Sequence, residues 1–258
     1  MFQKLRKSKK LVLIAMACAT FAIAGCGSDT TKSTADNGKS ITWSETFDGT
    51  KTDFAVKSSP THAVSMSQAT TEMMLQLGLE DKMAGTAFKE EEIYPPLQAA
   101  YDKVKVLSDK WPSYEVFMSV KPDFATGWPD SFSKRAIPAD KMIAQKVNIW
   151  LPESMLSTKA DLETNFNDMI KLGEIFGVKA KAEEWVAGQR KTLEAIQAKL
   201  KDLPRKRVFI YDSEDGQPFT AFEGYTTNIL KLIGADNVMS GLGVDKTWAK
   251  GSWETVIA

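Results

Sequence analysis

The chain has 258 residues, with 33 basic and 33 acidic side chains, one histidine and two cysteines. Balanced charge leaves no basic footprint for nucleic acid, and a single histidine, His62, excludes a His-rich metal cluster. The signatures of nucleophile elbows, zinc proteases, phosphate loops and dinucleotide sites are all missing.

Lys4, Arg6, Lys7, Lys9 and Lys10 open the chain, and residues 11–24 are almost unbroken apolar sequence. That run is shorter than the roughly 20 residues of a spanning helix and has the shape of a secretory signal. It closes on Ile23-Ala24-Gly25-Cys26, which resembles a bacterial lipobox. The expectation is a signal over 1–25 and a lipidated, flexible tether over 26–40, with Cys26 acylated and inserted in a bilayer. An ordinary signal with a chance cysteine is the alternative. Cys18 lies inside the signal, so the mature chain has no disulfide. Processing leaves 28 basic and 33 acidic residues, a net charge of −5.

Residues 41–57 carry two β-prone runs around Asp48-Gly49, a two-residue hairpin signal. From His62 onward short strands and helices alternate. Strands are expected over 63–66, 83–86, 104–107, 123–126 and 147–151. Helices are expected over 70–77, 95–101, 113–122 and 137–145. Such alternation implies an α/β region, a parallel sheet with helices on both faces. From 158 to about 203 the spacing is helical, with Leu162, Phe166, Met169 and Phe176 on one stripe and Val186, Leu193, Ile196 and Leu200 on another. Gly177 separates the two helices. After Pro204 the alternation resumes, with strands over 207–211 and 219–221 and a helix over 226–233 stopped by Gly234.

Ligands of open parallel sheets bind beyond the carboxyl ends of the strands. Met66, Ser67, Gln68, Phe88, Trp111 and Trp128 fall there in the first region, and Tyr211, Phe219 and Trp248 in the second. Large aromatics with few polar groups suit a large, flat or apolar ligand; several of these rings suit core packing equally. Asp212, Glu214 and Asp215 read as a solvated turn, and His62 as a residue at the start of a strand. A lipid-anchored hydrolase built on Asp212 or His62 is the reading from another class. Ser113-Tyr114-Glu115 and Ser252-Trp253-Glu254 each open a helix. A serine cap with an acid in the first turn is favourable by itself. Two matched carboxylates also suit docking on a two-fold symmetric partner.

The stretches PTHAVSMSQATTEMMLQLGLEDKMAGTA, IYPPL, VKVLSDKWPSYEVFMSVKPDF, KLGEIFGV and RVFIYDSEDGQPFTAFEG resemble, in order, the periplasmic binding proteins for ferric siderophores, haem and vitamin B12. The resemblance runs from about Ile41 to the last residue. It implies two Rossmann-like α/β lobes joined by one long helix, with a ligand between them, and delivery to the permease dimer of an ABC importer. On this reading 41–153 is the first lobe, 154–177 the interlobe helix and 178–258 a second lobe. Family members continue past the second triplet, so the second lobe is expected to be incomplete. The resemblance assigns permease docking to Glu115 and Glu254, and Trp111 and Trp128 resemble cleft positions of the vitamin B12 receptor. VFIYDSEDGQPFTAF resembles a branch that includes receptors for a deazaflavin cofactor precursor. The family reading implies no catalysis and no cofactor of the protein's own, any metal arriving inside the ligand. It also implies a monomer on the extracytoplasmic face of the membrane. Arg135, the one first-lobe arginine, reads as helix surface, which disfavours anionic catecholates against hydroxamates or corrinoids.

Overall fold

A computed structural model describes residues 40–257. The signal, the Cys26 lipidation position and all of the tether but its last residue lie outside the described residues. Among the described residues no helix is long and apolar enough to cross a membrane.

Strands β1 (Ile41–Phe47) and β2 (Thr50–Val56) form a hairpin in seven-pair antiparallel register. Its turn is Asp48-Gly49, with φ of 47° and 77°. Two successive left-handed residues match the right-handed twist of the arms. The inner face carries Trp43 stacked on Phe54, centroids 5.7 Å apart. The Trp43 indole N–H donates to the Ile149 carbonyl at 2.7 Å, which fixes the hairpin to the main sheet.

That sheet is built from β3 (Ala63–Ser65), β4 (Met83–Ala87), β5 (Val106–Ser108), β6 (Phe124–Thr126) and β7 (Asn148–Trp150). They are parallel in the order β5-β4-β3-β6-β7. The connections are α1 (Gln68–Gln76), α2 (Gln98–Tyr101), α3 (Tyr114–Ser119) and α4 (Ala139–Ala144). Successive strand residues point to opposite faces. Ala63, Phe124 and Trp150 therefore enter one core, with Met74, Leu75 and Val104. Val64, Ala125 and Ile149 enter the other, with Phe117, Phe132 and Met142. Strand order reverses at β3, whose neighbours are β4 and β6. A crevice opens beyond the carboxyl ends at such a reversal.

Helix α5 (Leu162–Ile175) starts with a reciprocal cap between Asp161 and Thr164. Phe166, Met169, Leu172 and Ile175 place its inner face in the first core. Helix α6 (Lys179–Leu200) has 22 residues and is about 33 Å long. Only Ala182 and Val186 of α6 are buried, both near its start and both in that first core. Near its other end Gln197 donates to the Leu232 carbonyl in the second region. The long connecting helix is therefore α6, one element later than the expected 154–177. Those residues hold α5, which belongs to the first lobe's packing.

The second region contains β8 (Lys206–Val208), β9 (Tyr211–Glu214), β10 (Pro218–Ala221), α7 (Tyr225–Leu232), β11 (Ala235–Asn237), β12 (Trp248–Lys250) and α8 (Trp253–Ile257). β8 and β11 pair in parallel. β9, β10 and β12 form an antiparallel sheet in the order β12-β10-β9. The expected single strand over 207–211 is two strands. The second of them turns back at Asp215-Gly216, where Gly216 has φ 71°. The two regions touch where Asn228 donates to the Ala160 carbonyl at 2.8 Å. At the end of the chain Ile257 is 81% exposed.

Candidate functional site

A cavity of about 770 Å³ is lined from both lobes and from the segment between them. The first lobe contributes Ala69, Met73, Phe88, Glu90, Trp111, Trp128, Pro129, Asp130 and Arg135. The second contributes Asp212, Phe219, Glu223, Tyr225, Thr226, Thr247 and Trp248. Ser154, Met155 and Asn165 lie between.

Phe88 leaves the end of β4 with φ 59°, a left-handed conformation unusual for a bulky residue. Backbone strain of this kind costs on the order of 1–3 kcal/mol and persists where the surroundings enforce it. Here it turns the ring onto Trp111, stacked at 4.6 Å and 19°. Trp111 is fixed in turn, its indole N–H donating to the Met66 carbonyl at 3.1 Å. The Trp128 N–H donates to Glu90 at 3.2 Å. Across the cavity's lining a second stacked pair, Phe219 and Trp248, sits on neighbouring strands at 6.1 Å and 22°. Each lobe thus offers one stacked pair, with ring faces and edges suited to flat or apolar surface.

Five of the nine expected ligand residues line the cavity: Phe88, Trp111, Trp128, Phe219 and Trp248. Four do not. The Met66 and Ser67 side chains are fully buried. Ser67 caps α1 by accepting from the Thr70 amide, and the Met66 carbonyl takes the Trp111 and Ser131 donors. Gln68 spends its amide on the neighbouring loop. Its Oε1 accepts from the Glu90 and Glu91 amides and its Nε2 donates to Glu72 and the Glu92 carbonyl. It positions the loop that carries Glu90. Tyr211 stacks on Trp253 at 6.3 Å instead. The ladder with β10 is irregular here, Ser213 facing Phe219 and Tyr211 facing Thr220, so Asp212 is the extra residue of a bulge, and it is Asp212 that reaches the cavity.

Arg135 is also displaced from its expectation. It lies in the turn before α4, lines the cavity and pairs with Asp130. Tyr225 lines the second-lobe side with its phenol raised above the ordinary value, by burial first and the Asp168 charge second. It stays protonated and can donate. His62 precedes β3, at the opposite end of the strand from this cavity, and its ring contacts Thr61. Among the described residues no group of three or more His, Cys, Asp or Glu is placed to hold a metal ion.

Glu115 and Glu254 are both exposed, each in the first turn of its helix. Ser113 accepts from the Val116 amide and Ser252 from the Thr255 amide, the same cap twice. The Glu115 carboxyl is held below its ordinary value, first by its own backbone amide and then by the Ser113 hydroxyl.

A two-lobed α/β fold with an aromatic cavity drawn from both lobes is the form of a solute-binding protein. The family model described as periplasmic binding protein matches residues 64–258. The chain belongs to this periplasmic binding protein family. A solved periplasmic binding protein from Veillonella parvula is 95% identical, with TM-score 0.83, over 85% of this chain and 74% of its own. An uncharacterized ABC transporter substrate-binding lipoprotein of Bacillus subtilis, YvrC, is 25% identical over 97% of this chain and 78% of its own. A vitamin B12-binding protein of Vibrio vulnificus is 25% identical over 69% of this chain. This chain spans 61% of that relative's length.

Asp130, Arg135, Asn165, Glu223 and Tyr225 are lining residues that strand-end reasoning missed. Asp212 follows a strand end in the sequence but reads as a solvated turn, and the bulge in β9 that sets it apart from Tyr211 leaves no mark in the sequence. For Glu223 and Tyr225 the signal was Gly224 between them, whose φ of 88° bends the chain against the Ser157 carbonyl.

Proposed function

We propose that this chain is the substrate-binding component of an ABC importer, capturing a ferric siderophore or similar large metal chelate and delivering it to the permease dimer. The observation that carries the reading is the cavity of about 770 Å³ with one stacked aromatic pair from each lobe. Its size lies in the upper part of the range of ligand pockets, roughly 300–1,000 Å³. The metal arrives inside the ligand, with the protein supplying apolar surface and a few polar contacts. Family membership and the B. subtilis relative support the transport role. Glu115 and Glu254 are the docking carboxylates, exposed and identically capped. Cys26 is the acylated anchor that holds the chain, as a monomer, on the extracytoplasmic face.

The V. vulnificus relative favours a second reading of the same site, a corrinoid receptor. A deazaflavin-precursor receptor has the same fold and rests on the sequence resemblance alone. Isothermal titration of the full chain with a ferric trihydroxamate and with cobalamin separates the first two. Micromolar or tighter binding of one, weakened at least tenfold by Trp128→Ala, is the expected result. Absence of heat with either ligand class would remove both readings.

A further inference from the structure

The charge on the cavity wall carries the reading further. Four carboxylates line it, those of Glu90, Asp130, Asp212 and Glu223. Among the described residues the one lining cation, Arg135, pairs with Asp130. Lys89 and Lys246 neighbour the site in sequence but are not among its lining residues. Glu90 accepts from the Trp128 indole, and Glu223 from the Ser240 hydroxyl and the Gly241 amide. Asp212 has no hydrogen-bond or ion-pair partner among the described residues and is exposed.

We propose that the cleft selects its ligand by charge, taking cationic and neutral metal complexes over anionic ones, with Asp212 as the carboxylate that meets the positive group. The inference rests on the receptor reading above and narrows its substrate class. Two physical effects act in the same direction. A concave site walled by apolar groups focuses the field of its carboxylates. The faces of Phe88, Trp111, Phe219 and Trp248 are the negative side of a quadrupole and attract cations. An anionic chelate would bring like charges together, with Arg135 already engaged by Asp130. A complex bearing an ammonium, or a metal centre with residual positive charge, meets both Asp212 and the rings.

The test uses charge series on constant scaffolds. One is a linear ferric trihydroxamate with a free terminal ammonium, its neutral N-acetyl derivative and its anionic N-succinyl derivative. The other is aquacobalamin, a cation, against neutral cyanocobalamin. Affinities for the full chain are read by isothermal titration at low salt. On whichever scaffold binds, the cation is expected to bind tightest. The cation–anion gap in the trihydroxamate series is expected to be on the order of tenfold or more. Asp212→Asn is expected to narrow the gap between cation and neutral forms several-fold, and added salt to narrow it too. Equal or tighter binding of the anionic form overturns the proposal, as does a gap that Asp212→Asn leaves unmoved. If neither scaffold binds in any charge state, the siderophore and corrinoid readings fail and take this inference with them. Binding without charge preference refutes the inference alone.

Discussion

Replacing Glu45 by glutamine should change how the fold responds to pH. Glu45 lies on the inner face of β1, only 8% exposed, with one carboxylate oxygen accepting from the Leu151 amide at 3.0 Å. Burial is the main force on it and raises its pKa from 4.5 to about 7. The Leu151 amide opposes that shift, and the nearby Asp168 and Glu153 charges add to it. The unfolded carboxyl loses its proton near 4.5, the folded one near 7. Between those values the folded chain holds a proton that the unfolded chain has released, so stability falls as pH rises. The full loss, reached above pH 7, is about 3 kcal/mol. Glutamine keeps an acceptor for the Leu151 amide and has no charge to bury. Urea unfolding from pH 4.5 to 8.5, followed by tryptophan fluorescence, reads the difference. Wild type and Glu45→Gln should match within about 1 kcal/mol at pH 5, and the variant should be more stable by about 2–3 kcal/mol at pH 8. Parallel stability curves across the range would refute the reasoning.

Asp168, 5% exposed, accepts from the Glu153 and Ser154 amides at 2.9 Å each. Asp168→Ala orphans both and should cost about 2 kcal/mol after relief of the carboxyl's own burial, measurable in the same urea titrations. Phe88→Asn keeps a residue that tolerates the left-handed backbone and removes the stacked ring. Ligand affinity should drop at least tenfold while the melting temperature moves only a few degrees, because relieved strain offsets lost stacking. Reversing charge with Glu115→Lys and Glu254→Lys together should abolish uptake in cells and leave the titrated ligand affinity unchanged; uptake at wild-type rates would remove the docking role.

Asp48-Gly49 announced its hairpin because alternating apolar residues flank it. Asp215-Gly216 is the same dipeptide, yet β9 reads Tyr-Asp-Ser-Glu, with every residue exposed and no apolar stripe to mark a strand. The bulge in that strand also hid which of Tyr211 and Asp212 faces the cavity. The first-lobe sheet was legible because β3, β4, β6 and β7 are largely buried runs and serine caps mark the starts of α1 and α3. The connecting helix was placed one element early for a related reason. Both helices show apolar periodicity, but α5 buries six residues and α6 only Ala182 and Val186, with Leu193 and Leu200 half-exposed, and spacing alone does not tell a helix packed along its length from one that bridges two lobes. Trp111, Trp128 and Phe88 were found from their place after strands. Arg135 was not, because a turn of polar residues gives no spacing from which to read a direction.

Helix α6 is a thin strut, and its midpoint has a soft spot. Gly188 sits inside it with no atom near enough to touch an added side chain. A glycine costs a solvated helix about 1 kcal/mol relative to alanine, so the coil there unwinds more readily than at its neighbours. An alanine there would meet nothing and should firm the one span of backbone on which the spacing of the halves depends by about 1 kcal/mol.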